Sequence, residues 1–222
     1  MVECGMASLP ALAFCICMLS LAGLSAQTPP ERPVPPPDGA LAIPGRAGWA
    51  VDAATGCWLW NPNPHPGETV GWSGACPQGP AEGAGSAAWR YAENGRLVIA
   101  WEHGVMREGR LDGQGLVLWS NGDRHEGAWR AGLRHGRGTT VEADGTRHEG
   151  EWRLGRADGP GTLTRPNGDA YAGQFRDGRA DGEGVLTTRD GMFRGGWRDG
   201  CLRRADDGVA VGVGRPDADC RP

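Results

Sequence analysis

A glycine-marked repeat of 23 residues constrains this chain more than any other feature. Written at that period, the sequence reads WEHGVMREGRLDGQGLVLWSNGD (101–123), RHEGAWRAGLRHGRGTTVEADGT (124–146), RHEGEWRLGRADGPGTLTRPNGD (147–169) and AYAGQFRDGRADGEGVLTTRDG (170–191). A truncated MFRGGWRDG (192–200) closes the series. Gly104, Gly127, Gly150 and Gly173 form one column, and Gly109, Gly132, Gly155 and Gly178 a second. Two further columns are Gly113, Gly136, Gly159, Gly182 and Gly115, Gly138, Gly161, Gly184. Random enrichment in glycine would not keep this phase, so the repeat governs the architecture before local propensity does. Upstream, Gly74, Gly79, Gly83 and Gly85 each stand 53 residues before Gly127, Gly132, Gly136 and Gly138. Since 53 is 23 plus 30, the intervening unit is seven residues longer, around RYAENGRLVIA (90–100). The repeats therefore run over 72–200, as five full units and a partial sixth.

Composition matters here only as a conflict to be resolved. Of 222 residues, 39 are glycine and 17 proline, a share that by itself reads as low complexity. Ten tryptophans oppose that reading, because such rings are costly to leave unburied. The repeat accounts for both. Within a unit, period two fits: Tyr171, Gly173 and Phe175 share one face, and Ala172, Gln174 and Arg176 the other. Trp129, Trp152 and Trp197 occupy the Phe175 column, with Met106 there once. Val117, Leu163 and Leu186 stack in another, with polar Thr140 among them, and Trp89 and Trp119 share a further one. Each unit is thus two short antiparallel strands. Asn121-Gly122, Asp144-Gly145, Asn167-Gly168 and Asp190-Gly191 are expected to make one tight turn, and the GxxxGxG run the other connection. One hairpin cannot bury enough surface alone, but stacked hairpins can.

The pattern YxGxF/WxxGxxxGxG, followed by a variable segment and (N/D)G at a period of 23, resembles the MORN (membrane occupation and recognition nexus) repeat. Tyr171, Gly173, Phe175, Gly178, Gly182 and Gly184 carry the match, with Gly127, Trp129, Gly150, Trp152 and Trp197 at equivalent places. At the first aromatic the other units depart: Arg124 and Arg147 are read in that column, and Trp101 once. Trp72–Gly85 has Cys76 in the second-aromatic column and reads as a capping unit. The resemblance implies an all-β fold, an elongated single-layer antiparallel meander of stacked MORN hairpins capped at both ends. It also implies a scaffold, spacer or dimerising platform, so a protein partner or a homodimer is the expectation, with a phospholipid or glycan surface as the alternative. A bacterial-type exported member is expected.

The ends carry address and staples. Residues 7–26, ASLPALAFCICMLSLAGLSA, are uncharged and apolar with a small-residue ending, so 1–26 reads as a signal peptide. Residues 27–44 hold the proline-rich TPPERPVPPP and read as a disordered linker. The remaining divisions are an N-terminal cap (45–71), the repeat domain (72–200) and a capping strand with tail (201–222), where Val209, Val211 and Val213 alternate. Outside the signal, four cysteines remain, and four allow three pairings. Loop closure favours the local bridges Cys57–Cys76 and Cys201–Cys220. Such pairing accords with an exported chain, periplasmic, secreted or envelope-associated.

Charge and spacing argue against chemistry. All 23 basic residues are arginine against 27 acidic ones, without a basic run, so nucleic acid is not an expected partner. His125 and His148 lie one unit apart, a distance of about 9–10 Å across two strand spacings, too far to share a metal. They are read as repeated exposed histidines. Asp112, Asp158 and Asp181 are read as solvated turn-edge charges, and Arg130, Arg153, Arg176 and Arg198 as a polar ladder on the open face. A P-loop needs a lysine, which the chain lacks, and HEG at 125–127 and 148–150 is not HExxH. No catalytic residue, cofactor or metal is expected, and the chain reads as a non-enzymatic scaffold or protein-interaction module.

Overall fold

A computed structural model describes residues 48–77, 79–203, 210–214 and 220. The expected signal peptide, the whole linker and most of the tail lie outside the described residues. Two short strands, β1 (Gly48–Val51) and β2 (Trp58–Asn61), pair antiparallel at the N-terminal end. A 13-stranded sheet follows in strict chain order. It comprises β3 (Thr69–Trp72), β4 (Gly83–Glu93), β5 (Arg96–Arg107), β6 (Arg110–Trp119), β7 (Arg124–Arg130), β8 (Leu133–Val141) and β9 (Arg147–Arg153). Then come β10 (Arg156–Thr164), β11 (Ala170–Arg176), β12 (Arg179–Thr188), β13 (Gly191–Arg198), β14 (Cys201–Arg203) and β15 (Ala210–Gly212). Every neighbouring pair is antiparallel, so the expected elongated meander of stacked hairpins is what forms.

The glycine columns organise this sheet crosswise. Gly85, Gly104, Gly115, Gly127, Gly138, Gly150, Gly161, Gly173, Gly184 and Gly195 pair successively, drawing one glycine row across β4 to β13. Rings lie over that row. A Cβ at Gly173 or Gly184 would strike the Tyr171 ring, and one at Gly138 or Gly161 would meet the imidazole of His125 or His148. Trp72 covers Gly74 and Gly85 in the same way. The first-aromatic column is therefore Trp72, His125, His148 and Tyr171. Arg124, Arg147 and Trp101 are one residue out of phase: all three are exposed, on the opposite face. The histidines expected to be exposed are buried, His125 at 1% and His148 at 7%.

Both connections are tight turns. Glu108-Gly109, Ala131-Gly132, Leu154-Gly155, Asp177-Gly178 and Asp199-Gly200 have positive φ at both residues, as do Asn94 and Gly95. That is the two-residue type I′ hairpin, whose twist matches the strands. The (N/D)-Gly steps instead have positive φ at glycine alone; three lie within longer turns such as Trp119–Asp123, closed by Gly122 N–H to Trp119 O and Trp119 N–H to Asp123 O, while Gly191 opens β13 after a two-residue loop. The rest of the GxxxGxG run lies inside a strand, where the middle glycine (Gly113, Gly136, Gly159, Gly182) makes a bulge. The type I′ turns at Gly109, Gly132, Gly155, Gly178 and Gly200 are also tied to the unit before them. Gly132 N–H donates to Leu111 O at 2.9 Å, Gly155 N–H to Arg134 O at 3.0 Å and Gly178 N–H to Ala157 O at 2.8 Å.

Both ends are closed. Cys57–Cys76 and Cys201–Cys220 are bridged, with Cα–Cα distances of 5.6 and 5.4 Å. At the N-terminal end Trp60 N–H donates to Gly109 O, and at the C-terminal end Val213 N–H donates to Gly200 O. Buried Asp52 anchors the first cap by accepting from Ala54 N–H, Thr55 Oγ1 and Trp72 N–H. Burial alone would raise its carboxyl, but these bonds hold it below the usual range.

Candidate interaction surface

Successive units interlock through rings. Trp129, His125, Trp152, His148, Phe175, Tyr171 and Trp197 form an unbroken edge-to-face series with centroids 4.6–5.1 Å apart. Edge-to-face contact suits the ring quadrupole, and it joins each hairpin to the next. The sequence-predicted Tyr171, Phe175, Trp129, Trp152 and Trp197 all meet in this series; the two histidines were missed as members. Tyr171 O–H donates to Gln174 O at 3.1 Å, and His125 Nδ1 lies 2.7 Å from Thr140 Oγ1. Burial first, then the positive charge of Arg134, lowers both histidines to about 4. They are neutral packing rings at neutral pH.

Arg134 is a third residue that sequence reasoning missed. It occupies the column of Leu111, Ala157 and Ala180, all buried. Its guanidinium lies 4.2 Å from the Trp152 centroid and donates to Gly155 O at 2.7 Å and Thr140 Oγ1 at 3.3 Å. A cation laid on an indole face keeps its attraction where water is partly removed. Burial lowers its pKa.

Over this face run adjoining cavities. One of about 630 Å³ is lined by Arg134, His148, Trp152, Arg165 and Phe175, and one of about 560 Å³ by Trp119, Trp129, Leu133 and Leu154. They share Arg134, Thr140, Glu142, Gly155 and Arg156, so the groove spans several units with an apolar floor and charged walls. The opposite face carries a polar trough of about 720 Å³ over Gly127, Gly138, Gly150, Gly161 and Gly173, flanked by Glu126, Arg137 and Glu149.

The acidic column is less solvated than expected, because it links units. Asp112, Asp158 and Asp181 pair with Arg107, Arg153 and Arg176 at 3.4, 3.1 and 3.3 Å. Asp112 also accepts from Ala131 N–H and Asp181 from Asp199 N–H, each in the following unit's turn. Among the described residues no group of three His, Cys, Asp or Glu is placed to hold a metal.

Four consecutive segments, 103–124, 125–147, 148–170 and 171–193, match the family model for the MORN repeat. Three of them begin on the ring column, at His125, His148 and Tyr171, in the phase the packing shows. No curated protein matches the chain.

Proposed function

Because residues 103–193 are four MORN repeats, we propose that this chain is an exported scaffold that presents the groove on its ring face to a protein partner. The MORN repeat is a non-catalytic module associated with protein interaction. The groove carries the proposal: adjoining cavities of about 630 and 560 Å³ make a long, mixed surface. A small substrate needs a compact pocket with converging polar groups, whereas an extended protein segment fits a trough of this kind. Export is supported by the two bridges, which persist in oxidising compartments, and by the uncharged apolar run at 7–26.

Two measurements test this. A photo-crosslinkable residue at Leu154, exposed at the groove, should capture one protein in the source cells, and one at Leu97, exposed at another hairpin, should not. The capture should be lost with Arg156→Glu. Equal capture from both positions, or capture indifferent to Arg156→Glu, overturns the groove assignment. Mass spectrometry of the native protein should show an N-terminus near Gln27 and no free thiol at Cys57, Cys76, Cys201 or Cys220. An intact N-terminus with four free thiols overturns export.

A further inference from the structure

A third cavity, of about 220 Å³, lies where the N-terminal cap meets the first repeats. Its wall is aromatic: Trp60, Trp89, Tyr91, Trp119 and Trp129 surround one acidic side chain, Glu102. Glu102 stands in the ring column, one unit before His125, where the rest of the molecule places an aromatic residue. Leu111 fills the space over Gly104 and Gly115 that a ring would take, which leaves the carboxyl facing the cavity's rings. Burial raises that carboxyl to about 7, opposed only by the Trp89 indole. Among the described residues no arginine pairs with it. The neighbouring cation, Arg110, lies instead over Trp60 and Trp49, at 4.6 and 5.3 Å from their centroids.

One more polar atom is stranded at the same place. His65 Nδ1 is buried without a hydrogen-bond partner, while the Trp89 indole is the one group that favours the Glu102 carboxylate. Buried polar groups are ordinarily paired, and a carboxyl among rings with no cation beside it is costly. The rings are held in position beforehand. Trp129 Nε1 donates to Gly115 O at 3.2 Å, and Tyr91 stacks on His65 with centroids 3.9 Å apart. A preformed aromatic box around a carboxyl suits one class of ligand. Ring faces attract a cation without requiring hydrogen bonds from it, and a carboxylate supplies the opposite charge. An anion would be repelled by Glu102. The volume falls below the ~300 Å³ at which drug-sized pockets begin, so the occupant is a small group.

We propose that this cavity binds a small organic cation, a quaternary or methylated ammonium group, enclosed by Trp89, Trp119 and Trp129 with Glu102 as its counter-charge. The cavity adjoins the protein groove and shares Trp119 and Trp129 with it, but the proposal does not rest on a protein partner. Choline chloride is the probe, titrated into the disulfide-intact full chain by calorimetry and tryptophan fluorescence. Its uncharged isostere, 3,3-dimethylbutan-1-ol, is the control. Saturable choline binding is expected, at least about tenfold tighter than the isostere, as a desolvated cation–π site implies. Glu102→Gln should remove that preference while leaving isostere binding unchanged, and Trp119→Leu should weaken both. Absence of saturable choline binding to the wild-type chain overturns the proposal whatever the variants do. Equal affinity for choline and isostere, or an unaltered preference in a folded Glu102→Gln, also overturns it. Sedimentation with phosphatidylcholine and phosphatidylglycerol vesicles then separates the sources. Choline binding with selective retention on phosphatidylcholine assigns a lipid headgroup, and choline binding without retention assigns a free cation.

Discussion

His125 and His148 occupy the column that Tyr171 fills in the next unit, and their imidazoles pack edge-on against Trp129, Trp152 and Phe175. Burial and Arg134 lower both from 6.5 to about 4. Between those values the unfolded chain binds protons that the folded chain does not, so stability rises with pH there. The contribution is fully present above about pH 6.5, falls as pH drops toward about 4, and levels off below. His148→Tyr replaces a titrating ring by one that does not titrate in this window and that can reach Glu151 O as Tyr171 reaches Gln174 O. The variant should fold, and its urea midpoint should decline less than the wild-type midpoint between pH 7 and pH 4.5, a window in which Glu102, raised to about 7, acts in the opposite sense. An unchanged decline would exclude His148 as a source. The ring column was legible only in part. Parity places His125 with Gly127 and Trp129, and Arg124 on the other face, yet RHEG offers two polar residues side by side. An imidazole reads as polar until its neighbours show that it is packed as a ring. Arg134 was hidden for a related reason: nothing in LRHGRG distinguishes a cation lying on an indole from one in water.

At the scale of the hairpin, the turns divide into a legible set and a concealed one. Asn121-Gly122 and its counterparts announce themselves by residue type, whereas the type I′ turns place Glu, Ala, Leu or Asp at the first position with φ of 48–50°. Only the constant glycine behind them could have exposed the turn. Leu154 shows the cost. It holds φ of 50° and is 69% exposed, so it accepts a left-handed backbone with little packing in return. An ordinary side chain there costs about 1–2 kcal/mol, and asparagine far less. Leu154→Asn creates the Asn-Gly pair that Asn94-Gly95 already uses. It should stabilise the chain by about 1 kcal/mol, read as a higher urea midpoint at unchanged slope. A lower midpoint would mean that Leu154 packs in solution in a way its exposure does not show.

The repeat sheet is a one-dimensional stack, so its two ends decide how far local opening spreads. Each unit touches its neighbours through the ring series, the turn-to-strand bonds and the Asp–backbone bonds, and terminal units lack one such partner. The edges are short, with β3 of four residues and β15 of three, which limits pairing with other chains. The bridges act at these places. Each joins cysteines 19 residues apart, a loop whose closure stabilises by about 3 kcal/mol in the chain-entropy account. Their local pairing was legible from spacing, because distant pairings would have closed longer loops. Cys57–Cys76 ties the β1–β2 pair to the segment leading into β4, and Cys201–Cys220 fastens the segment after β13. Replacing Cys57 and Cys76 together by serine should therefore act locally. Amide exchange should quicken in β1 to β4, by a local loss approaching 3 kcal/mol, while β9 to β12 keep their protection. The Cys201 and Cys220 pair should give the mirror result, quickening β13 and β14 alone. If either double variant instead lowers protection equally from β3 to β14, the stack opens as one cooperative unit. The bridges would then constrain the unfolded chain as a whole, and the nearest-neighbour description of these repeats would fail.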